Sequence, residues 1–138
     1  MKQQSRLPVP DVLEDDEAAP YWQAAREGRL MLPRCDRCAT VIWYPRQFCP
    51  ACGSSVVSWF EASGTGRVYS YSMIRRGQAE YSAAVPYLLA YVELEEGPRV
   101  LTNLVDFDTE PAIGQRVSAL FEHDSAGAGL LRFRPAES

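Results

Sequence analysis

Two C-x-x-C pairs, Cys35-Asp36-Arg37-Cys38 and Cys49-Pro50-Ala51-Cys52, stand ten residues apart in the first half of the chain. Four thiolates at this spacing suit a tetrahedral Zn²⁺: each pair forms a tight knuckle holding two sulfurs about 2.3 Å from one ion, and the intervening hairpin brings the knuckles together. Pro50 and Gly53 favour such a turn, Gly53 supplying a backbone angle that a Cβ resists. Ala39 holds the corresponding place after the first pair. A Cys₄ site is anionic; Arg34, Arg37 and Arg46 are near enough in sequence to offset it, and backbone N–H groups can bond the sulfurs. The competing readings are two disulfides or a redox dithiol. The lack of a signal-like N-terminus and of a βαβ pattern argues against both.

A chain of 138 residues is one ordinary domain, or a small metal module joined to one β domain. The cysteine segment is too short to bury a core, so metal binding must supply much of its folding energy. No apolar run approaches a membrane span, and the acidic, polar N-terminus lacks the features of a targeting peptide, so a cytoplasmic location without membrane partners is expected. The net charge of −4 and isoelectric point near 5.0 argue against nucleic acid, whose phosphates need clustered positive charge.

The pattern divides the chain into four segments. Residues 1–17 read as a flexible acidic tail whose first ten residues have nothing able to pack. Residues 18–34 hold a short helix and a lead-in strand: the acidic run Glu14 to Glu17 and Pro20 mark a helix start, Tyr21, Trp22, Ala25 and Arg26 follow at helical spacing, and Gly28 is a stop. Leu30 to Leu32 then lead into the metal segment. Residues 35–55 form the zinc ribbon, with β-formers Val41 to Tyr44 between the knuckles and Trp43 and Phe48 as apolar lids. In residues 56–138 strands alternate with turn signals: Val56 to Ala62, Arg67 to Arg76, Tyr87 to Leu94, Arg99 to Phe107, Arg116 to Glu122 and Leu130 to Phe133. Five or six strands without intervening helices predict a small, closed antiparallel barrel of OB-fold type. The fold class is therefore mainly β: a short N-terminal helix, a Cys₄ zinc ribbon and a five- to six-stranded OB-fold.

The residues supply no complete catalytic set. With all four cysteines on zinc, neither an open metal position nor a free thiol remains. The single histidine, His123, sits in a turn and reads as solvated. The single lysine is Lys2, and Gly64-Thr65-Gly66 leads into a strand, not the helix that a phosphate loop needs. Arg75 and Arg76, at a strand end before the loop Gly77 to Val85, could bind the phosphates of a nucleotide-like ligand at the barrel mouth, against the plainer reading of a solvated strand end. Tyr69, Tyr71, Tyr81, Tyr87 and Tyr91 read as barrel core and rim.

Taken as an ordered set, Pro20-Tyr21-Trp22, Arg26 to Leu30 running into Cys35, Tyr44-Pro45-Arg46, Ser63 to Gly66, Val85-Pro86-Tyr87, Val92-Glu93-Leu94 and Ile113-Gly114 with Val117 resemble the DUF35 family. Its members are OB-fold proteins with a rubredoxin-like zinc ribbon, associated with acyl-CoA metabolism. The resemblance covers Pro20 to the end; Ala39 in place of glycine and Trp43-Tyr44-Pro45 in place of a Pro-Pro pair depart from it. It implies a non-catalytic accessory subunit in a hetero-oligomer with a thiolase-like or lipid-transfer-protein-like enzyme, such as an acyltransferase, a thiolase or a steroid side-chain aldolase. The ribbon and the helix around Trp22 would dock, while the barrel would hold or shield an acyl-CoA, Arg75 and Arg76 meeting its phosphates. The rival readings are a nucleic-acid-binding ribbon and OB module, and an enzyme acting alone with a carboxylate base such as Asp106 or Asp108.

Overall fold

The computed structural model describes residues 7–137. A 3₁₀ turn, Asp16–Ala18, runs into helix α1, Ala19–Arg26. Asp15 starts this segment, its carboxylate accepting from the Glu17 amide. Pro20 lies in the first turn of α1, and Gly28, in the left-handed region at φ 77°, follows its end. Strand β1, Met31–Cys35, then pairs antiparallel with β2, Val57–Glu61, from Met31 opposite Glu61 to Cys35 opposite Val57. The two make a separate two-stranded sheet. Thus Val57–Glu61, expected among the barrel strands, pairs with the lead-in strand and not within the barrel. Val41 to Tyr44, expected as its hairpin strand, contributes one isolated bridge, Val41 to Arg34, on the edge of β1 opposite β2.

The remaining strands are β3, Thr65–Ile74; β4, Tyr87–Leu94; β5, Arg99–Leu104; β6, Arg116–His123; and β7, Gly129–Pro135. They close a five-stranded barrel in the order β3-β4-β5-β7-β6. Closure requires β5 and β7 to run parallel, meeting at Leu104 and Phe133, so the barrel is not wholly antiparallel as the turn signals suggested. The alternation along β4 puts Leu88, Ala90, Val92 and Leu94 inside and Leu89, Tyr91 and Glu93 outside. One continuous core joins Val68, Leu88, Val92, Leu104, Val117 and Phe133 of the barrel to Leu32 of β1 and Tyr21 of α1. Helix α1 sits close on β7: a Cβ at Gly129 would lie 2.5 Å from the Ala25 carbonyl oxygen, and His123, instead of being merely solvated, donates through Nε2 to the same oxygen at 3.1 Å. Among the described residues no helix is long and apolar enough to cross a membrane.

The described part of the expected tail is not free. Leu7 is buried, only 2% exposed, the Pro8 carbonyl accepts from Arg132, and the Val12 amide donates to Asp124 at 2.9 Å. Residues 1–6 of that segment lie outside those described. Arg132 is the anchor: it is fully buried on β7, its guanidinium pairs with Glu122 of β6, and its Nε has no partner among the described residues. A guanidinium without water is tolerated only when paired, so the strap from Leu7 to Leu13 and the carboxylate together make burial possible. The Asp124 carboxyl is held below the usual carboxylate range, first by the Val12 amide and then by the Ala128 and Ala126 amides, against its desolvation.

Because breaking a buried pair leaves one charge stranded, Glu122→Gln should cost about 3 kcal/mol in urea unfolding. The double variant Glu122→Gln/Arg132→Met should recover much of that loss, while strap amides should exchange fastest in the double variant, which lacks the guanidinium that holds the Pro8 carbonyl.

Candidate metal centre

The two knuckles are built alike. In the first, the Ala39 amide donates to the Cys35 carbonyl at 2.9 Å and the Cys35 amide to the Thr40 carbonyl at 2.9 Å. In the second, the Gly53 amide donates to the Cys49 carbonyl at 2.8 Å and the Cys49 amide to the Ser54 carbonyl at 2.8 Å. Both turns need a left-handed residue directly after the second cysteine, met by Ala39 at φ 67° and Gly53 at φ 81°. Glycine takes that angle freely, whereas alanine carries a steric cost of about 1–2 kcal/mol there. The first knuckle therefore keeps the shape that the sequence put in doubt.

All four sulfurs, of Cys35, Cys38, Cys49 and Cys52, lie within 4.8 Å of one another. Across the knuckles, Cys35 Sγ is 3.6 Å from Cys52 Sγ, and Cys38 Sγ is 3.5 Å from Cys49 Sγ. A tetrahedral ion with bonds of about 2.3 Å sets its sulfurs roughly 3.8 Å apart, so the cluster has the size of one Cys₄ metal site. The Arg37 and Cys38 amides each donate to Cys35 Sγ at 3.4 Å, the kind of outer contact that steadies a thiolate. Thr40 Oγ1 lies 3.1 Å from Cys38 Sγ. That side-chain contact, followed by the Thr40 backbone bond and the contact with Cys49, lowers the Cys38 thiol to about 6, while Cys52, despite the Ser54 amide, is raised to about 11 by its desolvation and the other three sulfurs, so the cluster shares its protons unevenly until a metal displaces them.

The expected arginine screen is arranged differently. The Arg34 guanidinium stacks on Phe60, 4.3 Å from its ring centre, and Arg46 Nε donates to the Tyr44 carbonyl at 3.1 Å. Backbone amides and Thr40, not these side chains, are what touch the sulfurs. The apolar lid also differs. Ile42 packs with Cys35 and Cys49, and Val57 beside them, while Phe48 is exposed. Trp43 does lie in the seam: its ring meets Tyr21 edge-on at 5.6 Å and Tyr44 at 5.6 Å. Trp22 closes the same cluster, 4.8 Å from Tyr21, its Nε1 donating to the Tyr44 hydroxyl at 2.9 Å. The matching order Cys-x-x-Cys-Ala-Thr and Cys-x-x-Cys-Gly-Ser is the sequence signal that singles out Thr40; for Ile42 there is only its place in an apolar run.

The structure does not bring the other candidates to this centre. Arg75 and Arg76 are exposed just past the end of β3, and Asp106 and Asp108 are exposed on the connection after β5.

Comparison with known proteins agrees with this geometry. Residues 22–58 match a family model described as the ChsH2 rubredoxin-like zinc ribbon domain, and residues 59–122 match the ChsH2 C-terminal OB-fold domain. A DUF35 domain-containing scaffold protein of Methanocaldococcus jannaschii is 30% identical over 136 residues, covering 92% of this chain and 96% of that protein. The chain belongs to the DUF35 family. It is similar over 75% of its length to a probable enoyl-CoA hydratase alpha subunit of Thermomonospora curvata, at 39% identity, but spans only 32% of that protein. With the benzoylsuccinyl-CoA thiolase subunit BbsA of Geobacter metallireducens it shares 34% identity over 69% of this chain and 59% of that one. The solved Ltp2-ChsH2(DUF35) aldolase contains a chain that superposes with a TM-score of 0.79 at 35% identity, covering 92% of this chain and 100% of that chain.

Replacing Ala39 by glycine should remove the left-handed strain and raise the stability of the metal-loaded protein by about 1 kcal/mol, read from the unfolding midpoint. Gly53→Ala should lower it by a similar amount.

Proposed function

We propose that this chain is a non-catalytic accessory subunit that docks on a thiolase-like or lipid-transfer-protein-like enzyme, forms a hetero-oligomer with it, and supports acyl-CoA binding or the stability of the complex. The observation that carries this reading is a complete Cys₄ cluster on a chain whose described residues converge no nucleophile, base and third group elsewhere. Cys35, Cys38, Cys49 and Cys52 would hold one Zn²⁺, which when bound supplies a closed four-coordinate cross-link without a position for water. The chain's part is then to present shaped surface. Two relatives support the class of partner: one is a thiolase subunit and another stands in an aldolase with Ltp2.

For the acyl-CoA, Arg75 and Arg76 are the residues we assign to the phosphates. They directly follow Ile74, whose strand partner is Tyr87, and Tyr87 lies 5.5 Å from Tyr81 in the loop that follows. Two exposed guanidiniums in sequence at a strand end, on a strand whose neighbour opens with a paired aromatic, suit a phosphate-bearing nucleotide. For docking, the helix face around Trp22 offers less than the sequence suggested, because its indole is taken up by Tyr21 and Tyr44. The ribbon still exposes Phe48 and Val56.

Metal analysis of the purified protein should return one zinc per chain, and Cys49→Ser should lose it together with amide protection across β1 and β2. A metal-free protein with unchanged protection would end the structural-zinc reading. In calorimetry of the zinc-loaded complex, Arg75→Ala/Arg76→Ala should weaken coenzyme A binding about tenfold or more and flatten its salt dependence. Unchanged affinity would remove both arginines from the reading.

A further inference from the structure

The two knuckles repeat one another in sequence and in backbone bonding, yet their sulfurs are not held alike. Cys35 and Cys49 are buried, 1% and 0% exposed, whereas Cys38 and Cys52 lie at the surface. A metal held on all four would be reached from solvent only past Cys38 or Cys52. Exposure does not choose between these two. What differs is the set of donors around them. On the first knuckle the Arg37 and Cys38 amides bond Cys35 Sγ, and Thr40 Oγ1 lies 3.1 Å from Cys38 Sγ. On the second, the Ser54 amide serves Cys52 as the Thr40 amide serves Cys38, but no hydroxyl reaches either sulfur among the described residues. Ser54 stands two residues after Cys52 as Thr40 stands two after Cys38, and its Oγ instead accepts from the Val56 amide at 3.2 Å.

Thr40 is well placed for this contact. Its carbonyl accepts from the Cys35 amide at 2.9 Å, which fixes its backbone within the knuckle, and branching at Cβ limits its side chain to few rotamers. A sulfur bound to a metal is a thiolate and carries no proton, so there the hydroxyl must be the donor. A hydrogen bond to a thiolate draws off the charge that makes it nucleophilic and steadies it as a ligand. The hydroxyl does this for Cys38 and nothing equivalent does it for Cys52. The nucleophilicity of a sulfur governs how fast an electrophile takes it from a metal. Of the two exposed ligands, Cys52 is then the more readily lost.

We infer that Thr40 is a positioning residue for the metal, holding Cys38 on the ion through its hydroxyl, and that the site in consequence opens at Cys52. Cys52 is the sulfur past which the metal enters and leaves, and the one that a thiol-directed electrophile strikes first. This assignment rests on the Cys₄ zinc site proposed above and is independent of which enzyme the chain assists.

The test uses the zinc-loaded full chain. Under limiting iodoacetamide, whose methylene carbon bonds the sulfur as iodide leaves, peptide mass mapping should find the first label on Cys52, about threefold or more ahead of Cys38. Zinc should appear in solution in step with that label. Thr40→Val keeps the shape of the side chain and loses its hydroxyl. In this variant Cys38 should label about threefold faster or more, and chelator competition should show zinc held about tenfold more weakly. With cobalt in place of zinc, the sulfur-to-metal charge-transfer band should move to longer wavelength, because a thiolate without its hydrogen bond gives up an electron more easily. Thr40→Ser should restore all three readings. Labelling of Cys38 first, or at the same rate, in wild type would overturn the opening order, and that result needs no variant to fold. A Thr40→Val protein with wild-type labelling, affinity and cobalt band would remove Thr40 from its role. If wild type takes up neither zinc nor cobalt, the metal site itself falls, a failure seen before any labelling begins.

Discussion

Four sulfurs must meet within 4.8 Å although they come from two turns separated by ten residues, and that convergence governs everything N-terminal to the barrel. Each knuckle is closed by two backbone hydrogen bonds and a left-handed residue, so its pair of sulfurs is placed by the main chain and not by side-chain packing. What brings the knuckles together is β1, which ends on Cys35, and the segment through Ile42, whose amide donates to the Pro33 carbonyl at 2.9 Å. The apolar material around the sulfurs is meagre, Ile42 with Val57 at its edge. Such a cluster is too small to offset the conformational entropy of some twenty ribbon residues at about 1–2 kcal/mol each. A metal cross-link is the economical remedy.

The ribbon in turn is held to the barrel by aromatic packing. Tyr21, fully inside, meets Trp22, Trp43 and Tyr44 edge-on, so helix and ribbon share one aromatic cluster whose polar tips pair with each other through Trp22 and Tyr44. Edge-to-face pairs add to the energy of burial and fix relative orientation, since the rings lose contact if either element rotates. Leu30 and Leu32 carry that cluster into the same core as Phe133. The backbone path from β1 to the barrel is thus stiffened at three points: the β1–β2 ladder, the aromatic cluster, and Glu96, which accepts from the Ser63 amide at the turn between β2 and β3.

Features set by local chemistry could be read from the sequence. The cysteine spacing, the helix bounded by its acidic start and Gly28, and the β4–β5 hairpin with its alternating pattern all fall where residue types dictate them. Features set by distant partners could not. Val57 to Glu61 reads as a strand from its composition, but nothing in those residues says that its partner is β1. Leu7 and Pro8 look like a polar, proline-broken tail because the group that holds the Pro8 carbonyl is Arg132, more than a hundred residues away. Arg132 itself sits between Leu131 and Phe133 in an outward register, where a charged residue is ordinarily solvated. His123 is exposed as its turn position suggests, but its acceptor is equally hidden in the sequence, because it belongs to α1. The exposed apolar face of β4 and β5 was half legible, since Leu89, Tyr91 and Leu101 break the polar-outside rule of an antiparallel strand. Recognising it required knowing that nothing else among the described residues covers those strands.

The covered and uncovered sides of the barrel also answer why the chain carries a ribbon at all. A five-stranded closed barrel has no free edge to pair with another chain, so recognition must use faces and appended elements. Strap and helix occupy one face, using the buried Arg132–Glu122 pair and the Gly129 contact to hold fast. That leaves the outer face of β3 to β5 uncovered among the described residues, with the ribbon projecting from the strand that feeds β3. A contact spread over a barrel face and a ribbon gains area only if the two keep a fixed relation, because each freely jointed element would lose its orientational entropy separately on binding. The aromatic seam, and a metal held on the four sulfurs, would fix the ribbon against the barrel before any partner arrives, and under the accessory role proposed above that rigidity is what they would contribute.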